Sequence, residues 1–77
     1  MNKIASELID FGQDFQYENW GSQGEKIASF QSGIEVCRQN GKIHFEYCGQ
    51  RSVLDDNEQS MAEVVSMVKA ACINETT

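Results

Sequence analysis

Residues 34–47 read IEVCRQNGKIHFEY, two runs that alternate apolar and polar side chains on either side of Asn40-Gly41. A two-residue hairpin turn of type I′ needs positive φ at both central positions, which asparagine tolerates and glycine adopts freely. The turn fixes a register in which Gln39 faces Lys42, Val36 faces Phe45 and Ile34 faces Tyr47. Carried outward, the same pairing sets Phe30 against Arg51, Ala28 against Val53 and Ile27 against Leu54. One face then holds Ala28, Phe30, Ile34 and Val36 on the first arm and Ile43, Phe45, Tyr47 and Val53 on the second, an apolar wall for a core. Gly33 and Gly49 mark points where this long ribbon bends or bulges, and a break at either would split it.

Upstream, Ile4, Leu8, Phe11 and Phe15 recur at helical spacing behind Asn2 as N-cap, which predicts a helix starting near Lys3. Gly12 ends it by a left-handed C-cap, although the apolar stripe runs on to Phe15. Phe15 and Tyr17 then share a face of a short strand reaching Trp20, and Gly21-Ser22-Gln23-Gly24 leads into Lys26. Downstream, Asp55-x-x-Glu58 has the form of a capping box, and Met61, Val64, Val65, Val68 and Cys72 trace one face of a second helix. Ile73 to Thr77 read as a frayed end. The expected fold is α+β in the order αβββα, a three-stranded antiparallel sheet with the C-terminal helix packed on one face.

Seventy-seven residues make one domain, 1–77, near the lower size limit for a self-sufficient core. A content of 40% hydrophobic and 9% aromatic residues is that of a globular chain rather than a disordered one. No apolar run approaches the roughly 18 residues that span a bilayer, and Met1-Asn2-Lys3 leads into an amphipathic segment, so the expectation is a cytoplasmic protein without a membrane partner. Three cysteines, Cys37, Cys48 and Cys72, at spacings that match no paired zinc or redox motif, fit a reducing compartment.

Net charge is −6, from 12 acidic and 6 basic residues. The acids concentrate toward the two ends, while Lys26, Arg38, Lys42 and Arg51 lie in the middle with Glu35 and Glu46. Direct binding to nucleic acid needs clustered cations to replace counterions, so this balance points to a protein partner with a basic surface.

On the face opposite the apolar wall, the hairpin register sets Cys37 across from His44 and Glu35 across from Glu46, with Cys48 farther along. These are metal-ligand types, but zinc needs three or four ligands within about 2.0–2.3 Å of one point, and neighbours on a flat ribbon do not converge that closely. An ordinary cross-strand pair is expected, with no metal and no cofactor. Strand rise also keeps Cys37 and Cys48 beyond the ~7 Å Cα reach of a disulfide. Glu35 opposite Glu46 is a like-charge pair that calls for a cation from Lys42, Arg51 or a partner. With one histidine, no phosphate-binding glycine motif and nothing to orient a Cys37–His44 pair, the chain is expected to be non-enzymatic.

Partner-binding candidates follow from the charges and aromatics. Glu7, Asp10, Asp14 and Glu18 would line one side of an extended first helix, and Asp55, Asp56 and Glu58 add to an acidic surface able to compete with nucleic acid for a basic groove. A helix stop at Gly12 would break that line. Glu35 and Glu46 offer a site for a partner's lysine or arginine, and Trp20, with Tyr17 close by, supplies either an interface anchor or a plug for the core.

A short helix at Lys3 to Phe11, the Asn40-Gly41 hairpin and an acidic-capped helix from Asp55, in a small acidic chain, resemble the layout of bacteriophage and mobile-element proteins that disable host machinery, anti-CRISPR proteins among them. The resemblance spans most of the chain but carries no family motif, so it transfers no functional residue, and such proteins have many unrelated folds. It implies stoichiometric blocking of a basic nucleic-acid-binding protein by carboxylates, with Trp20 or Tyr17 as apolar anchor. The competing expectation is a small structural or regulatory subunit, a homodimer formed through an exposed sheet face or edge.

Overall fold

A computed structural model describes residues 1–76 as helix α1 (Asn2–Asp10), strands β1 (Gln16–Asn19), β2 (Glu25–Ser29), β3 (Ile34–Gln39), β4 (Lys42–Tyr47) and β5 (Gln50–Asp55), and helix α2 (Glu58–Thr76). The strands form one antiparallel sheet in the order β1-β2-β3-β4-β5, each paired with its sequence neighbours. The sheet therefore has five strands where the sequence reading expected three.

The central hairpin keeps its predicted register, with Gln39 opposite Lys42, Val36 opposite Phe45 and Glu35 opposite Glu46. Asn40 and Gly41 have φ of 55° and 71°, the mirror-image turn their residue types favour. The error lies farther out, where Gly33 and Gly49 are reversals rather than bends. Cys48 and Gly49, with φ of 53° and 77°, repeat the two-residue turn and fold the second arm back on itself. On the other arm, residues 30–33 connect β2 to β3, so that Ala28 pairs with Glu35 instead of lying across from Val53.

Each reversal resets which alternate residues face inward, because side chains along a strand change sides at every step. Ile34, Val36, Ile43 and Phe45 are buried as expected, but from β2 the buried residues are Ile27 and Ser29. Phe30 and Val53, expected in the wall, are 78% and 54% exposed. Ala28, also expected there, lies on the opposite face and is half-buried.

Both helices cover one face of the sheet, with α1 packed on α2 and α2 on β4. Ile4 and Leu8 of α1, Val64, Val68, Ala71 and Cys72 of α2, and the sheet residues Ile27, Ile34, Val36, Ile43 and Phe45 form one core. Burial of an aliphatic side chain of this size stabilises by about 1.5–3 kcal/mol, so the two helix stripes are what hold the layer down. α1 stops as predicted. The Gly12 N–H donates to Ile9 O at 2.9 Å and the Gln13 N–H to Leu8 O at 2.8 Å, the paired bonds of a Schellman cap.

Three local expectations are corrected. Asn2 is the first residue of α1 and Met1 is its N-cap, without a side-chain cap. Asp55 belongs to β5, and α2 is capped instead by Asn57, whose Oδ1 accepts the Ser60 N–H at 2.8 Å. The reach of that asparagine explains the shift: its acceptor sits three residues before the donor, where Asp55 has a strand partner to meet. The tail predicted to fray is helical through Thr76, and Asn74 Nδ2 donates to Tyr47 Oη at 3.0 Å. Thr77 lies outside the described residues.

Candidate functional site: the uncovered face of the sheet

Because the helices take one face, the other is left open, and strand pairing dictates what it displays. One row across the strands holds Glu18, Lys26, Cys37, His44 and Val53, and the next holds Gln16, Ala28, Glu35, Glu46 and Arg51. Lys26, Cys37 and His44 of the first row and Glu35, Glu46 and Arg51 of the second line, together with Trp20, a shallow depression of about 210 Å³.

Trp20 is set there by a tight local construction. The Trp20 N–H donates to Gly24 O at 2.8 Å across a short 3₁₀ turn at Gly21–Gln23, and the Gly21 N–H donates to Asn19 Oδ1 at 2.7 Å. Gly24, at φ +131°, lies so close to β3 that a Cβ there would come within 2.0 Å of the Arg38 carbonyl oxygen. The indole Nε1–H donates to Glu18 Oε2 at 3.3 Å and the residue remains 38% exposed, so Trp20 rims the open face instead of plugging the core.

The like-charge pair at the centre is relieved within the chain. Lys26 Nζ lies 3.3 Å from Glu35 and an Arg51 guanidinium nitrogen lies 3.8 Å from Glu46, so the strands on either side each supply a cation. Arg51 was among the cations anticipated. Lys26 was not, because its place beside Glu35 depends on the β2–β3 pairing that the sequence reading missed. Cys37 is half-buried opposite His44, with its Sγ–H 3.6 Å from Gln39 Oε1. Burial, and then the negative charge of Glu35, push its thiol up from the ordinary value, which keeps it from the thiolate form a nucleophile or metal ligand uses. Among the described residues, no group of three or more histidine, cysteine, aspartate or glutamate side chains is placed to hold a metal ion, and Cys37, Cys48 and Cys72 are free thiols.

The remaining sequence candidates are dispersed. Tyr17 lies on the helix-facing side of β1, opposite Ile27, and its hydroxyl donates to Glu25 Oε1 at 3.0 Å. That hydrogen bond, ahead of slight desolvation, raises the phenol above its ordinary value. Asp55 meets Lys42, whose hydrogen bond and charge hold the carboxyl below the usual range. Asp56 accepts from both Arg38 Nε and Nη2, at 3.3 and 3.0 Å, while Arg38 Nη1 reaches Glu25 at 3.2 Å. Arg38 is thus a clamp between β2 and the start of α2. Its partners are 13 and 18 residues away in sequence, so only the sheet pairing reveals it. Glu7 and Asp10 lie on α1, Glu58 opens α2, and Asp14 is in the α1–β1 connection, where its N–H donates to Gln31 Oε1 at 2.7 Å. The continuous line of Glu7, Asp10, Asp14 and Glu18 does not exist, since α1 ends before Asp14.

These contacts divide the charge. Lys26, Arg38, Lys42 and Arg51 all spend their charge on Glu35, Glu25 and Asp56, Asp55 and Glu46. No ion pair forms at Glu7, Asp10, Asp14, Glu18, Glu58 or Glu63 among the described residues, so the negative surplus falls on the helix layer and on the β1 side of the sheet.

The fold and this face define a class only by architecture: an α+β meander with two helices on one side and a polar, aromatic-rimmed surface on the other. Compared with protein-family models, curated proteins and solved structures, the chain matches none. No helix among the described residues is long and apolar enough to cross a membrane.

Proposed function

We propose that the chain is a non-enzymatic protein-binding domain that meets a basic, nucleic-acid-binding protein with its surplus carboxylates, in the manner of the phage-type inhibitors whose layout it resembles. The partition of charge carries this reading: the sheet's cations are consumed by carboxylates of the sheet and by Asp56, so Glu7, Asp10, Glu58 and Glu63 of the helices, against Lys3 and Lys69 alone, present a net negative charge. A field of one sign accelerates encounter with an oppositely charged surface and weakens steeply with salt. Asp55 and Asp56 contribute less, being tied to Lys42 and Arg38.

Affinity capture from bacterial lysate at low and high salt, with a Glu7→Gln, Asp10→Asn, Glu58→Gln, Glu63→Gln variant alongside, tests it. Captured basic proteins are expected to be released by salt and lost with the variant. A captured set indifferent to both would overturn the reading.

A second reading, a small subunit that works as a homodimer, is favoured by one specific observation. Strand β5 is an edge of the sheet and is exposed along its length except at Leu54, which is partly covered.

A further inference from the structure

The two edges of the sheet differ. β1 offers four residues and ends in the turn that holds Trp20, whereas β5 runs for six residues with no proline and no break in its pairing with β4. Proteins ordinarily blunt such an edge with charges that repel a second strand, with proline or with a bulge. The charges on β5 are Arg51 and Asp55, of opposite sign and equally spaced about Val53.

Backbone parity says which groups of β5 face outward. Gln50 and Tyr47 close a two-residue turn, and the closing pair of such a turn exchanges both of its hydrogen bonds. The ladder then alternates, so Ser52 and Leu54 also bond to β4, and the same parity continues where the Asp56 N–H donates to Gly41 O at 3.0 Å. Arg51, Val53 and Asp55 therefore direct their N–H and C=O groups away from β4, into the open edge. Their side chains share the uncovered face. Val53 is 54% exposed, and the side chains of Arg51 and Asp55 keep 59% and 71% of their surface in spite of their contacts with Glu46 and Lys42.

We propose that two copies of this chain join β5 to β5, antiparallel, about a two-fold axis at Val53, so that Arg51 of each copy lies opposite Asp55 of the other and one sheet runs through both. Only this register brings the two opposite charges together twice while Val53 meets its own counterpart. Shifting it by two residues sets Arg51 against Val53 and leaves Asp55 facing the Cys48-Gly49 turn. A symmetric interface uses every contact twice, so one complementary pair on the edge becomes two. The pairing rests on the self-association reading above and names its surface.

Sedimentation velocity from micromolar to millimolar concentration provides the test, on the wild type, Arg51→Asp, Asp55→Arg and an equimolar mixture of the two variants, with circular dichroism to check that each is folded. Each variant alone places like charges opposite one another at both positions, and its dimer dissociation constant is expected to rise about tenfold or more. The mixture restores Asp against Arg at both positions and is expected to dimerise as the wild type does. Val53→Cys in a Cys48→Ser background is expected to cross-link two chains on mild oxidation, because directly paired Cα atoms are about 5.5 Å apart. A wild type that stays monomeric throughout would overturn the pairing and the self-association reading together. A dimer unaffected by the charge reversals and without the Val53→Cys cross-link would overturn the β5 pairing alone.

Discussion

Gly24 sets the position of Trp20, and no other residue fits there. A methyl group would meet the Arg38 carbonyl oxygen at 2.0 Å, and φ +131° with ψ −158° is a conformation that side-chain-bearing residues avoid. Gly24→Ala is expected to lower the unfolding free energy by about 3 kcal/mol in urea titration. Ser22→Ala, in the same turn but exposed, should stay within about 0.5 kcal/mol of wild type. A domain of this size has on the order of 4–12 kcal/mol in total, so the loss at Gly24 is a large part of it. Its glycine spacing reads as an ordinary connection in the sequence, because the demand comes from β3, which lies near it only after the sheet has formed.

At the scale of elements, the start of α2 depends on one asparagine. Asn57→Ala removes the acceptor for the Ser60 N–H and is expected to lower stability by about 1 kcal/mol. Alanine in place of Asp55, which the sequence put in the capping role, should leave the helix start intact and release only the exposed contact with Lys42. Amide exchange at residues 58–61 distinguishes the two. What the sequence made legible was local: the Asn40-Gly41 turn, the stop at Gly12, the stripe of α2 and the pairing of Glu35 with Glu46 all rest on residues near one another in the chain. What it hid was set by turns with weaker signals. Cys48-Gly49 is a poor match to the residues such turns favour, and cysteine at positive φ is uncommon. With bends instead of reversals at these two places, the alternation puts Phe30 and Val53 inward and gives Lys26 no place beside Glu35.

Across the whole molecule, Cys72 reports on integrity. It is fully buried where α2 meets the rest of the core, and burial, followed by the charge of Glu7, raises its thiol above the ordinary value of 9.0. The unfolded chain releases this proton first, so the contribution of Cys72 to stability is level below that ordinary value and is lost as pH climbs past it toward the folded-state value. A disulfide reagent at neutral pH is expected to label exposed Cys48 first, Cys37 more slowly, and Cys72 only as the molecule opens globally. Denaturant should accelerate the Cys72 reaction in step with the unfolding transition, and labelling at native rates would show that the helix layer opens separately. The proposed binding surface is legible in the sequence as composition but not as geometry, because the spacing sets Glu7, Asp10, Asp14 and Glu18 on one extended helix, whereas α1 ends at Asp10 and leaves Asp14 in a connection and Glu18 in β1.

The contact between α1 and α2 joins the first element of the fold to its last. During translation the meander can pair strand by strand as it emerges, whereas Ile4 and Leu8 gain the helix half of their surroundings, Val64, Val68 and Cys72, only after all five strands are made. Strand pairing can therefore run ahead of core closure, and the α1–α2 contact is the step that completes the buried layer.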